Sequence, residues 1–531
     1  MSAEPSTSTS ERGRLGLAAV AIVLVVVPFL LVRFPPITDL PQHAAQIRLF
    51  GEALGEHADL YRIQWLTPYG LSYVLPAVGW LLGGPAWAGR LGFLLVVALW
   101  VGAVHWLAVR LRRPASAAVL ASALVFNHTL YWGFLSFLFG WVVFVVWLRL
   151  TEVEPDARCD WRAAARLLGG AALLYFSHVL WFAMGCLWLV VDGWRARLPW
   201  REQFLRGLAV SPVGLLALWW YPTLGRRGFD SPVYWPASVW ARFGPSGLKD
   251  AVLGGLRGNL EPVFLLVVLG WLLLAAWQHR AEGRAAWSPR LLLLAGVLFL
   301  PAAVLPMEAQ NTIHLAERWM PCAVVALLLA APAPRLPAAL VRWLPVAALT
   351  LFVAGTSVYW IAFSSVELDG LAPAVAALPE KPRVLGLSYY PESLIIRGNP
   401  FIQDFAYAQV MKGGELNFSF ADFAPSLVVY RTPRSGPWTL GLEWLPNRVR
   451  ISDFAYFDWV IASGDEAIHR HLVERAGLVP VTSGTRWRLY RVPEALRARR
   501  QSELGGALPP AATPVASPPA SGSTSSRQAS Q

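Results

Sequence analysis

The feature that most constrains the fold of this chain is a series of apolar runs separated by short, arginine-rich segments. A helix needs about 20 apolar residues to cross the hydrocarbon core of a bilayer. Hydrophobic residues make up 56% of the 531 residues and charged residues only 15%, less than a soluble protein of this length carries. We therefore predict a polytopic α-helical membrane protein.

The apolar runs predict about eleven transmembrane helices. The run at 167–191 is too long for one span, and its central polar pair, Ser177 and His178, favours a tight helical hairpin with His178 near the outer surface. The predicted spans are 15–32, 91–109, 115–126, 134–148, two within 167–191, 208–221, 263–277, 291–305, 319–331 and 343–362.

The arginines predict how these spans are oriented. Clusters such as Arg110, Arg112 and Arg113 follow alternate spans, and positive residues stay on the cytoplasmic side of a membrane. We predict a cytoplasmic N-terminus, an extracytoplasmic C-terminal part and an inner-membrane location. The net charge of +12 lies in these clusters and forms no basic stripe, which excludes nucleic acid as a partner.

Composition divides the chain into four parts. Residues 1–14 are predicted as a disordered tail and 15–363 as the transmembrane domain, with juxtamembrane helices in its first outside loop, 34–90. Residues 364–495 predict a small α/β extracytoplasmic domain, and 496–531 a disordered, low-complexity tail. Predicted strands of that domain are 383–388, 427–431, 457–462 and 487–492, with an amphipathic helix at 465–476.

Directly after the first span, the sequence F-P-P-I-T-D-L-P-Q-H contains Asp39 and, about one helical turn later, His43. One interpretation is that Asp39 caps the helix that follows, with Gln42 completing a capping box and Pro41 in the first turn. The other is that Asp39 is a general base facing outward at the membrane surface. The two are compatible, although a carboxylate held by backbone amides is a weaker base.

Several histidines lie at predicted outer ends of spans. His43 is interpreted as a base partner, a substrate contact or a weak metal ligand, against the alternative of a solvated helix-surface side chain. Asn127 and His128 form the next outside turn, where polar groups commonly satisfy backbone or water. His178 lies between apolar runs, where ionisable groups face protein or a water-filled cavity.

The third outside loop contains His314, Glu317 and Arg318. Arg318 is either a charge paired with Glu317 or a phosphate ligand, because guanidinium offers a planar fork of donors. Arg226 and Arg227 in the second long outside loop are another candidate phosphate site.

Motifs for nucleotide binding, metalloproteases and serine hydrolases are missing, and the outside loops contain no D-x-D. The three cysteines have no metal-ligand spacing, and no disulfide is expected. We therefore predict no metal centre and no cofactor; a divalent metal is compatible with the chemistry, but no obvious site supports it.

The layout resembles the GT-C superfamily of integral membrane glycosyltransferases, especially the branch of protein O-mannosyltransferases and lipid A aminoarabinose transferases. T-D-L at 38–40 stands where the family has an acid after the first span. The segment 71–113 is similar to its juxtamembrane helix and cytoplasmic turn, and E-R-W-M-P at 317–321 resembles its late R-Y-x-x-P motif. Two departures are that Asp39 has no acidic neighbour and that Asn-His at 127–128 replaces an acid.

This resemblance implies a polyprenyl-phosphate sugar donor and transfer, with inversion, to a hydroxyl of a lipid, glycan or protein acceptor at the outer face of the membrane. Asp39 would take the acceptor proton, while Arg318, with His314, would stabilise the departing phosphate. The remaining predicted substrate-binding residues are Arg226, Arg227, His128 and His178. Two alternatives stay open: a lipid-linked sugar transporter or flippase, and a non-catalytic membrane protein of polysaccharide assembly.

Overall fold

The structure, a computed structural model, describes residues 11–152, 158–225, 233–236, 238–310, 312–434 and 436–497. Its α-helices are α1 (Glu11–Leu31), α2 (Leu40–Leu54), α3 (Val74–Gly83), α4 (Pro85–Arg110), α5 (Ala115–Ser122), α6 (His128–Trp132), α7 (Leu135–Leu150), α8 (Trp161–Ser177), α9 (Val179–Arg195), α10 (Trp200–Trp220), α11 (Pro222–Gly225), α12 (Val239–Phe243), α13 (Pro245–Val252), α14 (Leu260–Gln278), α15 (Pro289–Val304), α16 (Met320–Ala330), α17 (Ala338–Ala362), α18 (Leu371–Ala376), α19 (Tyr407–Lys412), α20 (Ile451–Phe454) and α21 (Glu466–Glu474). The strands are β1 (Tyr61–Ile63), β2 (Arg383–Ser388), β3 (Glu415–Leu416), β4 (Val428–Tyr430), β5 (Trp459–Ser463), β6 (Val479–Pro480) and β7 (Trp487–Arg491).

The predicted spans all coincide with helices. Glu11–Leu31, Pro85–Arg110, Leu260–Gln278 and Ala338–Glu367 are long and apolar enough to cross a membrane, and the other predicted spans coincide with shorter or less apolar helices. The protein is therefore a helical membrane protein. The first helix begins at Glu11, inside the predicted N-terminal tail, whereas residues 1–10 and 498–531 lie outside the described residues.

The run predicted as a hairpin folds into two helices, α8 and α9, that meet at His178. This residue has an extended backbone, with φ −172° and ψ 127°, and its Nδ1 accepts a hydrogen bond from the Leu180 amide. The helices reach from Trp161 to Arg195, because the arginines that end the apolar run do not end the helices. The predicted boundaries of this hairpin, 167–191, were therefore too narrow at both ends.

Charged residues from separate predicted cytoplasmic loops meet at one end of the helices. The Arg290 guanidinium lies 2.9 Å from an Asp192 oxygen and 3.3 Å from Glu152. Glu152 in turn lies 3.1 Å from Arg149, and Arg206 donates to the Thr151 carbonyl at 2.8 Å. These contacts agree with the arginine pattern, which assigned all these loops to the same side.

The C-terminal part contains a five-stranded sheet in the order β3-β2-β5-β7-β6. The pairs β2–β3 and β2–β5 are parallel, whereas β7 runs antiparallel to β5 and β6. The predicted strand at 427–431 does not join this sheet: as β4 it pairs with β1 of the first outside loop, with Tyr61 opposite Tyr430. The first loop and the C-terminal part are therefore joined by a common β-ribbon.

Buried glutamines extend this connection. The Gln46 side chain donates to the Val428 carbonyl at 3.1 Å and accepts from its amide at 2.8 Å. Gln42 donates to Gln403 at 2.8 Å and accepts from the Phe420 amide at 3.0 Å. Helix α2 is thus held against the C-terminal part along its length.

The contact between α7 and α9 yields a prediction about packing. A Cβ added at Gly140 would lie 2.1 Å from the Trp181 ring, so Gly140→Ala overpacks this contact. We expect a loss of about 1–3 kcal/mol, seen as a lower thermal unfolding midpoint of the detergent-purified protein. Gly270→Ala is the control, because a Cβ there meets nothing within 4 Å. Equal effects of the two substitutions would contradict the close packing at Gly140.

Candidate functional site

Asp39 precedes α2 but does not cap it. Its φ of −90° and ψ of 0° are helical, and its side chain makes no capping hydrogen bond. A capping side chain needs an extended backbone to reach back to the first amides. Gln42, the predicted partner in a capping box, is used by the C-terminal contacts described above. The capping interpretation was wrong, although Pro41 does occupy the first turn.

The Asp39 carboxyl is half-buried, and no donor in the part of the chain that the structure describes hydrogen-bonds to it. Burial raises its pKa well above the ordinary value of 3.8. Its backbone amide donates to the Trp132 carbonyl at 3.1 Å, and Gly133 packs so closely that a Cβ there would lie 2.8 Å from that amide nitrogen. The backbone of Asp39 is therefore held in place, while its carboxyl has no hydrogen-bond partner among the described residues.

His43 is buried rather than solvated, so the surface interpretation was wrong. Its Nε2–H donates to the Gly133 carbonyl at 3.0 Å, which leaves Nδ1 to accept from the Tyr73 hydroxyl at 3.0 Å. Burial lowers its pKa to about 4, so the ring is neutral at pH 7. With both nitrogens occupied, His43 ties α2 to the turn after α6. Tyr73, which the sequence did not single out, belongs to this arrangement.

Arg318 is buried in the short 3₁₀ helix Glu317–Trp319. Its Nε donates to the His314 carbonyl at 3.1 Å and its Nη2 to the Ile313 carbonyl. The guanidinium lies over Phe134, 4.4 Å from the ring centroid. Burial lowers its pKa to about 10.

Glu317 does not pair with Arg318. Its carboxylate instead contacts Nδ1 of His314, and His314 has a left-handed backbone with φ 52°. Among the described residues, no carboxylate lies within ion-pair distance of the Arg318 guanidinium. The paired-charge interpretation was therefore wrong, and a buried cation without a fixed counter-ion is costly unless an anion joins it.

The neighbouring outside turn contributes His128. Asn127 caps α6 through its contact with the Thr129 amide at 2.9 Å, as expected for a polar residue that satisfies backbone. His128, by contrast, is 4% exposed and neither ring nitrogen has a partner among the described residues. Possible metal-ligating atoms of His128, His314 and Glu317 all lie within 4.8 Å of one another. The sequence predicted no such group, because its members come from loops far apart in the chain.

The remaining predicted residues fall in two places. His178 is buried, with its ring 5.4 Å from that of Phe137, and Phe137 also lies 5.2 Å from the Arg318 guanidinium. Arg226 and Arg227 lie outside the described residues. Asp39 and Arg318 both flank the turn from α6 to α7, through Trp132 and Phe134 respectively.

Two cavities lie elsewhere. One of about 340 Å³ is at the arginine-rich end and includes Arg110, Arg149 and Arg290 in its lining. The other, of about 310 Å³, is lined by Arg33 and Arg90, among others. Neither cavity is lined by Asp39 or Arg318, so the two predicted functional residues share a turn and not one of these cavities.

No protein-family model and no curated protein matches this chain. Among solved structures, it is similar to the crystal structure of ArnT from Cupriavidus metallidurans bound to undecaprenyl phosphate, with a TM-score of 0.50 and 14% identity, over 91% of this chain and 98% of that chain. The apo state of the same protein matches with a TM-score of 0.48, 14% identity and the same coverage. Over almost its whole length, the fold of this chain is therefore similar to that of ArnT.

Proposed function

We propose that this protein is an inverting membrane glycosyltransferase. It moves a sugar from a polyprenyl-phosphate donor to a hydroxyl of a lipid, glycan or protein acceptor at the outer face of the cytoplasmic membrane. The observation that carries the proposal is Arg318, a buried guanidinium for which the described residues supply no counter-ion, and which contacts the same turn that positions Asp39. The likeness in fold to ArnT, which was crystallised with undecaprenyl phosphate, supports a lipid phosphate as the missing anion.

Arg318 stabilises the negative charge that develops on the leaving phosphate. Its present contacts engage Nε and Nη2, and no described residue hydrogen-bonds to Nη1. The contacts with two carbonyls and the Phe134 ring hold the guanidinium plane before the lipid arrives, so little reorganisation is needed. His178 and His128, which lie close to this group, and Arg226 and Arg227 complete the proposed substrate-binding set.

Asp39 acts as the general base. The acceptor hydroxyl attacks the anomeric carbon, its proton passes to the Asp39 carboxylate, and the carbon–oxygen bond to the lipid phosphate breaks. A raised pKa suits this role, because a more basic carboxylate takes the proton more readily. His43 and Tyr73 keep α2 in position and leave the Asp39 carboxyl to the substrate.

The topology completes the proposal. In the proposed topology of eleven spans, the first outside loop, the turn at α6, the loop before α16 and the C-terminal α/β domain all lie on the outer face. That domain packs on α2 through Gln42 and Gln46, so it lies next to the site and helps to choose the acceptor. A transporter would need ionisable residues along the span centres, and the described site groups cluster at one end instead.

Asp39→Asn is expected to lower transfer of a labelled polyprenyl-phosphate sugar by at least ~100-fold in membranes, since a positioned base typically contributes that much. The thermal unfolding midpoint should stay unchanged, because burial already disfavours the charged carboxylate that the amide replaces. Asp59→Asn, at an exposed position of the same outside loop, is the control. Retained transfer with a lowered midpoint would refute the catalytic role.

The rate of transfer should fall as the pH drops through the pKa of Asp39, because only the deprotonated carboxylate accepts a proton. Burial raises this pKa, so the acid limb of kcat/KM is expected well above pH 3.8. A profile that stays flat down to pH 4 in folded protein would exclude Asp39 as the base.

Arg318→Gln is expected to reduce kcat/KM for the lipid donor by roughly 10- to 100-fold, the usual loss for charge-assisted hydrogen bonds. Arg318→Lys should recover part of this loss, because it restores the charge but not the planar fork. Arg62→Gln, exposed in the first outside loop, serves as the control. Equal donor kinetics in Arg318→Gln and Arg62→Gln would contradict phosphate binding at this position.

A further inference from the structure

Three side chains next to Arg318 form a compact group of nitrogen and oxygen ligands. His128 lies at the start of α6, while His314 and Glu317 belong to the loop before α16. One ligand atom of each lies within 4.8 Å of those of the other two, and the two imidazole rings are 5.4 Å apart between centroids. Two imidazoles and a carboxylate are the protein ligands of several catalytic zinc sites.

His128 is the member that a purely structural role does not explain. The side chain is 4% exposed, and neither Nδ1 nor Nε2 has a hydrogen-bond partner within the described chain. Leaving a buried polar group unsatisfied costs free energy, so most such groups in proteins have partners. An ion bound to one of these nitrogens supplies the missing partner.

The backbone supports the same conclusion. His314 has a φ of 52°, in the left-handed region that few residues other than glycine adopt. Strained conformations of this kind persist where the surrounding structure demands them and cluster at functional sites. Here the conformation accompanies the contact of the His314 ring with Glu317 and its proximity to His128.

We propose that His128, His314 and Glu317 bind one divalent ion of the zinc class. Imidazole nitrogens favour zinc and similar transition metals over Mg²⁺ or Ca²⁺, which prefer oxygen ligands. The ion replaces the proton between His314 and Glu317, which is released to solvent, and a fourth position remains open. The inference rests on the side-chain geometry and does not need the transferase activity.

One consequence does rest on the proposed function. Glu317 precedes Arg318, so the ion adds positive charge beside the guanidinium that is proposed to bind the lipid phosphate. Removing the ion should then weaken binding of the lipid donor. The affinity for the donor and the zinc content are measured separately, so the two effects can be distinguished.

The test uses the full-length, detergent-purified protein, stripped with a chelator and then equilibrated with Zn²⁺ at micromolar concentration. We expect about one zinc per chain by elemental analysis, together with a raised thermal unfolding midpoint. His128→Ala and Glu317→Gln should each weaken zinc binding by at least ~10-fold, the lower end of losses seen even for residues that only support metal ligands. His128→Asn provides a second variant in case the alanine variant does not fold.

His279→Ala is the matched control, because His279 contacts Glu282 with the same three-residue spacing, 3.0 Å apart, but belongs to no such group of three in the described chain. Its zinc stoichiometry should equal that of the unmodified protein. Folded protein that binds no zinc, or a His128→Asn variant that binds as well as the control, would overturn the metal site. If the unmodified protein binds zinc and transfers sugar, and the Asp39→Asn and Arg318→Gln variants are inactive, both proposals are supported. If the unmodified protein binds zinc but has no transferase activity, only the proposed transferase function is refuted.

Discussion

The arrangement of this protein depends on the burial of helix α2 between the transmembrane helices and the C-terminal part. A buried amide is costly unless its donor and acceptor are both satisfied. Gln42 and Gln46 each meet this condition with partners that follow them by more than 350 residues in the chain. These contacts hold α2 against the C-terminal part, while the Trp132 carbonyl holds the amide of Asp39.

The turn from α6 to α7 connects this helix with the other half of the site. In this turn, the Trp132 carbonyl accepts a hydrogen bond from the Asp39 amide, and the Gly133 carbonyl accepts one from the His43 ring. The Phe134 ring packs against the Arg318 guanidinium. A larger residue at Gly133 would collide with Asp39, and the φ of 86° there also favours glycine. Asp39, Arg318 and His314 therefore all contact residues 132–134, and His128 lies in the helix just before them, although these residues come from three separate loops.

Much of the helical framework was predictable, whereas side-chain roles at loop junctions were less so. Long apolar runs identify membrane helices because a lipid-exposed backbone must satisfy its own hydrogen bonds. The prediction of a capping box at Asp39 and Gln42 was wrong because it considered only residues close in sequence. Gln42 instead binds Gln403 and Phe420 of the C-terminal part, which are distant in the chain. The strand 427–431 was recognised, but its pairing with Tyr61–Ile63 could not be, since pairing is a long-range property.

What the sequence determined by itself is the class of the protein: the length of the hydrophobic runs and the positions of the arginines predicted a helical membrane fold, and short motifs resembled those of the GT-C superfamily. Only the tertiary structure decided which polar groups meet. Within the described residues, it left the Asp39 carboxyl without a hydrogen-bond donor and the Arg318 guanidinium without a carboxylate partner. It also occupied both nitrogens of His43 and brought His128 to His314 and Glu317. The reason is that burial and hydrogen-bond partners depend on segments distant in the chain, and these two quantities set the charge and reactivity of each side chain.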